Sequence, residues 1–178
     1  EIGPSKDNTL FESAAGSLSS GCGEFLYVGK NNGGSIRRAV IAFDIAGSVP
    51  AGATVTGATL KLRMTRTQND AQLLSLHKLV ADWGEGASFA VVSPDGSGGG
   101  GGVNAATGDA TWNHTFFDTA TWVTPGGDYA PTASAEASVA APASYRWISD
   151  GMVADVQDWL ADPSSNFGWI IVGNETQD

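Results

Sequence analysis

The chain reads as an all-β protein, an antiparallel β-sandwich of jelly-roll type with one short helix near Met152–Leu160. Three observations predict this. From Arg37 to Thr67, two segments on either side of a Pro/Gly turn alternate apolar and polar side chains, as half-buried antiparallel strands require. Elsewhere, short apolar segments are punctuated by clusters of Gly, Pro, Asn and Ser. A single segment, SDGMVADVQDWLADP, repeats its apolar residues at helical spacing.

Taken in order, strands are expected at Asn8–Glu12, Phe25–Gly29, Arg38–Asp44, Thr56–Thr65, Leu73–Val80, Ser144–Ile148 and Gly168–Val172. Weaker ones lie near Phe89–Val92 and Ser138–Ala140. In Thr56–Thr65, Ala58, Leu60, Leu62 and Met64 point one way while Thr59, Lys61, Arg63 and Thr65 point the other. The reversal before it is Ser48–Gly52, where Pro50 fixes φ and Gly52 tolerates positive φ. In the helix, Met152, Val153, Val156, Trp159 and Leu160 form the apolar stripe, with Ser149 or Asp150 as N-cap and Pro163 beyond the end. It is expected to cover one end or face of the sandwich. Residues 93–143 read as a long insertion: a glycine run at Asp95–Gly102 taken as a linker-like loop, then an aromatic-rich stretch, then an Ala/Ser/Pro tract.

At 178 residues the chain is one domain, long enough to bury a core without staples. No apolar run approaches the ~20 residues of a membrane-spanning helix, so no membrane insertion is expected. The chain opens at Glu1 without a basic, apolar leader, which reads as a signal peptide removed or excluded. The net charge is −10 and it is unevenly spread. Eight of the nine bases lie at or before Lys78, and thirteen of the nineteen acids lie after it. Such a surface repels nucleic acid and anionic membranes, and suits an extracellular protein with carboxylates available to calcium; solubility alone explains the same charge. The lone Cys22 excludes an internal disulfide, leaving a free thiol or an intermolecular bridge.

The order of DNTLFES, LYVG, RRAVIAFDI, VPAGATVTGATLKL, LHKLVADWGEG, ATWNH, WVTPGGDY, MVADVQDWL and NFGWIIVGNE resembles the DNRLRE domain family over nearly the whole chain. The resemblance implies a secreted jelly-roll module, similar to a carbohydrate-binding module of alginate-degrading enzymes, non-catalytic and often appended to enzymes or surface proteins. It transfers no particular ligand. The family normally continues past GNE into one more strand. Gly168–Val172 is therefore expected at an edge that needs covering, either by a neighbouring subunit's strand or by this chain's own N-terminal segment.

Three constellations are candidates for chemistry. Asp82 with Glu85, Asp109, and Asp118 with Asp128 offer carboxylates for a structural calcium, or serve as turn residues. Trp112, Trp122 and Tyr129 in the insertion form an aromatic platform for sugar stacking, or pin the insertion to the sandwich. Lys61 and Arg63 share a strand face, with Arg37, Arg66 and Lys78 as candidate neighbours, and either grip uronate or sulfate groups or are ordinary solvated positions. The histidines His77 and His114 are far apart and no nucleophile elbow, zinc pair or phosphate loop occurs; His114 near Asp118 is the pair to test for lyase chemistry. The expected function is an extracellular, non-enzymatic module that binds polysaccharide or mediates attachment. The alternative is a filament or matrix subunit whose partners are copies of itself, joined by strand addition. A polysaccharide lyase or hydrolase ranks last.

Overall fold

The alternating stretch from Arg37 to Thr67 folds into two strands that lie in different sheets rather than pairing with each other. The computed structural model describes residues 1–67, 70–93 and 97–176. In chain order the strands are β1 (Lys6–Phe11), β2 (Leu18–Ser19), β3 (Gly29–Lys30), β4 (Ile36–Ala42), β5 (Thr59–Arg63) and β6 (Gln72–Lys78). There follow β7 (Val103–Asn104), β8 (His114–Phe116), β9 (Ala120–Thr121), β10 (Ala135–Val139), β11 (Ser144–Ile148) and β12 (Trp169–Val172). Helix α1 (Ile45–Ser48) follows β4, and α2 (Asp150–Ala161) joins β11 to β12. The fold is all-β and the strand pairings are antiparallel.

The large sheet runs β10-β6-β12-β4-β1-β2-β7, with β3 also beside β4, while β11 and β5 form a separate pair. Strand β12 is thus an inner strand: Ile170 sits opposite Val40 of β4 on one side and His77 of β6 on the other. This corrects the expectation of an edge at Gly168–Val172, and with it the motive for covering that edge. The N-terminal segment is engaged from Lys6 onward, since Lys6–Phe11 pairs along β4 from Lys6↔Ala42 to Phe11↔Arg37.

The unbroken apolar run of β12 has a simple cause, because this inner strand is buried on both faces. Ala39, Trp169 and Ile171 face a core shared with Leu60 of β5, Trp147 of β11, and Met152 and Trp159 of α2. Val40 and Ile170 face the opposite way, into a second core with Leu10, Leu79, Trp83, Trp112 and Trp122. A strand enclosed on both sides needs no polar face. The insertion contributes Ala110, Trp112 and Trp122 to the second core, while its β10 segment joins the large sheet beside β6.

Helix α2 begins at Ser149, whose Oγ accepts the Met152 N–H at 3.0 Å and satisfies one of the orphan donors of the first turn. Its inward face carries Met152, Val156, Trp159 and Leu160, together with the buried Asp155. Asp155 accepts from Trp169 Nε1 at 2.8 Å and from Ser134 Oγ, so its carboxylate locks the helix to β12.

Several boundaries differ from the sequence reading. Phe25–Gly29 yields only Gly29–Lys30 as strand, and Phe89–Val92 is irregular. The β8–β9 hairpin within the insertion was not expected. The glycine run lies partly outside the described residues, but its later part is no linker. Gly99–Gly101 is a 3₁₀ turn packed on Tyr27, and a side chain at Gly102, where φ is 66°, would meet the Phe11 ring at 2.9 Å.

Candidate functional site

The aromatic insertion does not present a platform. Trp122 is 4% exposed and donates Nε1–H to the Thr111 carbonyl at 2.9 Å, and Trp112 is 9% exposed within the second core. Tyr129 is partly buried, its ring beside His77 at 5.1 Å and under the Arg38 guanidinium at 5.6 Å. The pinning alternative describes all three.

Arg38 is the hub of that region and was not singled out from sequence. Its guanidinium lies 4.9 Å from the Trp112 ring centroid, grips Glu175 through Nε (2.7 Å) and Nη2 (2.8 Å), and donates Nη1–H to Gly126 O at 2.8 Å. Burial lowers its pKa, but the Glu175 hydrogen bond and charge outweigh this and hold it above the usual arginine value. With Tyr129, Val123, Pro125 and Asp128 it borders an open cavity of about 580 Å³ whose guanidinium is already committed to Glu175.

The candidate calcium carboxylates are dispersed and each holds a loop. Asp109 is fully buried and accepts from Ala87 N (2.7 Å) and Ser88 N (3.4 Å) at Oδ1, and from Ala106 N (2.8 Å) at Oδ2. Asp128 accepts from Val123 N and Thr124 N, both at 2.8 Å. Asp82 pairs with Lys6 at 2.7 Å, Glu85 accepts the Asp7 N–H at 3.1 Å, and Asp118 accepts from Thr107 Oγ1 at 3.4 Å. Among the described residues no three His, Cys, Asp or Glu side chains are grouped to hold a metal ion. The histidine rings are likewise engaged: His77 with Ala130 O and Ser75 Oγ, and His114 with Thr111 Oγ1 at 3.0 Å.

The basic residues are where the structure assembles something. On β5, Leu60 is buried while Thr59, Lys61 and Arg63 are exposed. Antiparallel pairing with β11 sets Arg146 opposite Lys61 and Ser144 opposite Arg63, and both partners are exposed. Lys61, Arg63 and Arg146 therefore lie together on the outer face of the strand pair, because side chains directly across a ladder share a face. Among the described residues none of the three makes an ion pair or a side-chain hydrogen bond. This is unusual in a chain of net charge −10. Two proposed neighbours lie elsewhere. Arg37 is 7% exposed and donates Nε–H to Gly100 O at 2.8 Å, and Lys78 pairs with Asp158 at 2.9 Å. Arg66 follows β5 and is exposed.

Beside β5 runs a groove of about 860 Å³. It is lined by Glu1–Pro4 and residues 54–62, with the half-buried Phe43 and Val55 as apolar contributors and Lys61 and Arg146 as the cations. In comparisons with family models, curated proteins and solved structures, no match to this chain was found.

Proposed function

We propose that this protein is an extracellular, non-catalytic module that binds acidic polysaccharide on the outer face of the β5–β11 pair. The observation that carries the reading is the basic triplet Lys61, Arg63 and Arg146 on an exposed two-stranded surface, without an acidic partner among the described residues. Like charges placed directly across a ladder destabilise it, so a Lys opposite an Arg is a cost that an anionic ligand relieves. Uronate carboxylates or sulfates spaced along a glycan meet such a face, with each Arg offering a bidentate fork. The acidic remainder of the surface confines a polyanion to this patch. The ordered motifs that resemble DNRLRE domains agree with a secreted carbohydrate-binding role.

The test is retention on immobilised polyuronate, sulfated glycan and neutral glucan at two salt concentrations. Retention on the acidic polymers, falling with salt and lost in the K61Q/R63Q/R146Q variant, is the expected result. Equal retention of the variant and the parent protein overturns the assignment of the site. Cleavage of any of these polymers overturns the non-catalytic reading.

A further inference from the structure

We propose that the groove beside β5 accepts an extended polypeptide strand from another protein, one whose side chains alternate between apolar and acidic. The backbone of β5 identifies the ligand as a strand. Met64 N–H bonds Ala143 O at 2.8 Å, which makes this an inward, hydrogen-bonded pair, and by the alternation of an antiparallel ladder Leu62 and Leu60 also direct their backbone groups at β11. Thr59, Lys61 and Arg63 consequently direct their N–H and C=O groups away from β11. Among the described residues no strand pairs with that edge. Strand addition, expected from sequence at Gly168–Val172, finds its acceptor here instead.

The groove specifies the side chains. An added strand presents every second residue to the interior, where the half-buried Phe43, Val55, Ala58 and Leu62 offer apolar contact over the core. The intervening residues emerge on the outer face beside Lys61 and Arg63, where carboxylates are complementary. The same charges argue against a second copy of this chain docking edge to edge, since Lys61 and Arg63 of one β5 would meet Lys61 and Arg63 of the other. Glu1 is the one acid among the described residues that line the groove. Because the strand's outward carboxylates and a polyuronate both use Lys61, the two ligands compete.

The probe is a synthetic peptide of about nine residues alternating Val and Glu, long enough to overhang β5 at both ends. It is compared with a block peptide of the same composition and with an alternating Val/Lys peptide. The readout is amide hydrogen exchange by NMR. With the Val/Glu peptide, the Lys61 and Arg63 amides are expected to slow by about tenfold or more, with little change at Leu60 and Leu62, which are already paired. The K61E/R146E variant, altered only at exposed positions, is expected to exchange this preference for the Val/Lys peptide. Absence of protection at Lys61 and Arg63 at millimolar peptide, equal protection by the block peptide, or an unchanged preference in the charge-swapped variant each overturns the proposal. The readout is separate from glycan retention, so either proposal can fail without the other.

Discussion

Lys61 and Arg146 face one another across β5 and β11, two cations on one exposed surface with no acid paired to either among the described residues. A strand pair under selection for stability alone would place opposite charges there. The K61E substitution therefore separates stability from binding. It should create a cross-strand ion pair with Arg146 and raise Tm by roughly 1–3 °C, while weakening retention on acidic polysaccharide by about tenfold or more. Thermal melts and retention assays on the same preparation check both halves. A rise in Tm with unchanged retention would mean that Lys61 does not touch the glycan.

Trp122 is a core residue, so its loss should read as instability rather than as lost binding. Trp122→Ala removes a buried indole and leaves the Thr111 carbonyl without its donor. Destabilisation of about 3–5 kcal/mol is expected from urea melts. Below its melting point the variant should retain acidic glycan as well as the parent does. Selective loss of binding in a folded variant would restore the aromatic platform.

Asp7 should make the protein less stable as pH rises through the range near 6. Burial chiefly, and the Glu85 charge next, push its carboxyl up from 3.8 to about 6. A raised carboxyl binds its proton more tightly in the folded state. Its favourable contribution is present at low pH and is lost as pH climbs from about 4 past about 6. Asp7→Asn removes the ionisation. The variant should be more stable than the parent at pH 7.5 by roughly 1–2 kcal/mol after allowance for solvent screening, with the advantage vanishing near pH 4. Paired melts across that range test the sign.

Asp109 is predicted to be a structural clamp. Its carboxylate accepts backbone N–H groups from Ala87, Ser88 and Ala106, tying the loop after β6 to the insertion. Gly86, at φ 81°, lies directly against Asp109, so a side chain there would collide with the clamp. Asp109→Ala should cost about 2–4 kcal/mol by leaving buried donors unpaired. The G86A variant should be destabilised as well, and chelator should not reproduce either effect if the clamp acts without metal.

The sequence by itself determined the class of fold and the places of its longer elements. Period-two alternation between Arg37 and Thr67, the capped apolar stripe of α2 and the run Gly168–Val172 are local patterns, and each became an element of the expected type with ends shifted by up to three residues. It also placed Lys61 and Arg63 on one face, since that follows from alternation within a single strand. Tertiary structure alone decided which strands are neighbours. Nothing local says that β12 lies between β4 and β6, that Arg146 stands opposite Lys61, or that, among the described residues, β5 has no strand on its outer side. Those relations are set by how the two faces of the large sheet are covered, one by β5, β11 and α2 and the other by a second core that takes in Trp83, Trp112 and Trp122. For the same reason the exposure of Trp112 and Trp122 could not be read from their aromatic, loop-rich surroundings: the second core that buries them draws on residues from Leu10 to Ile170.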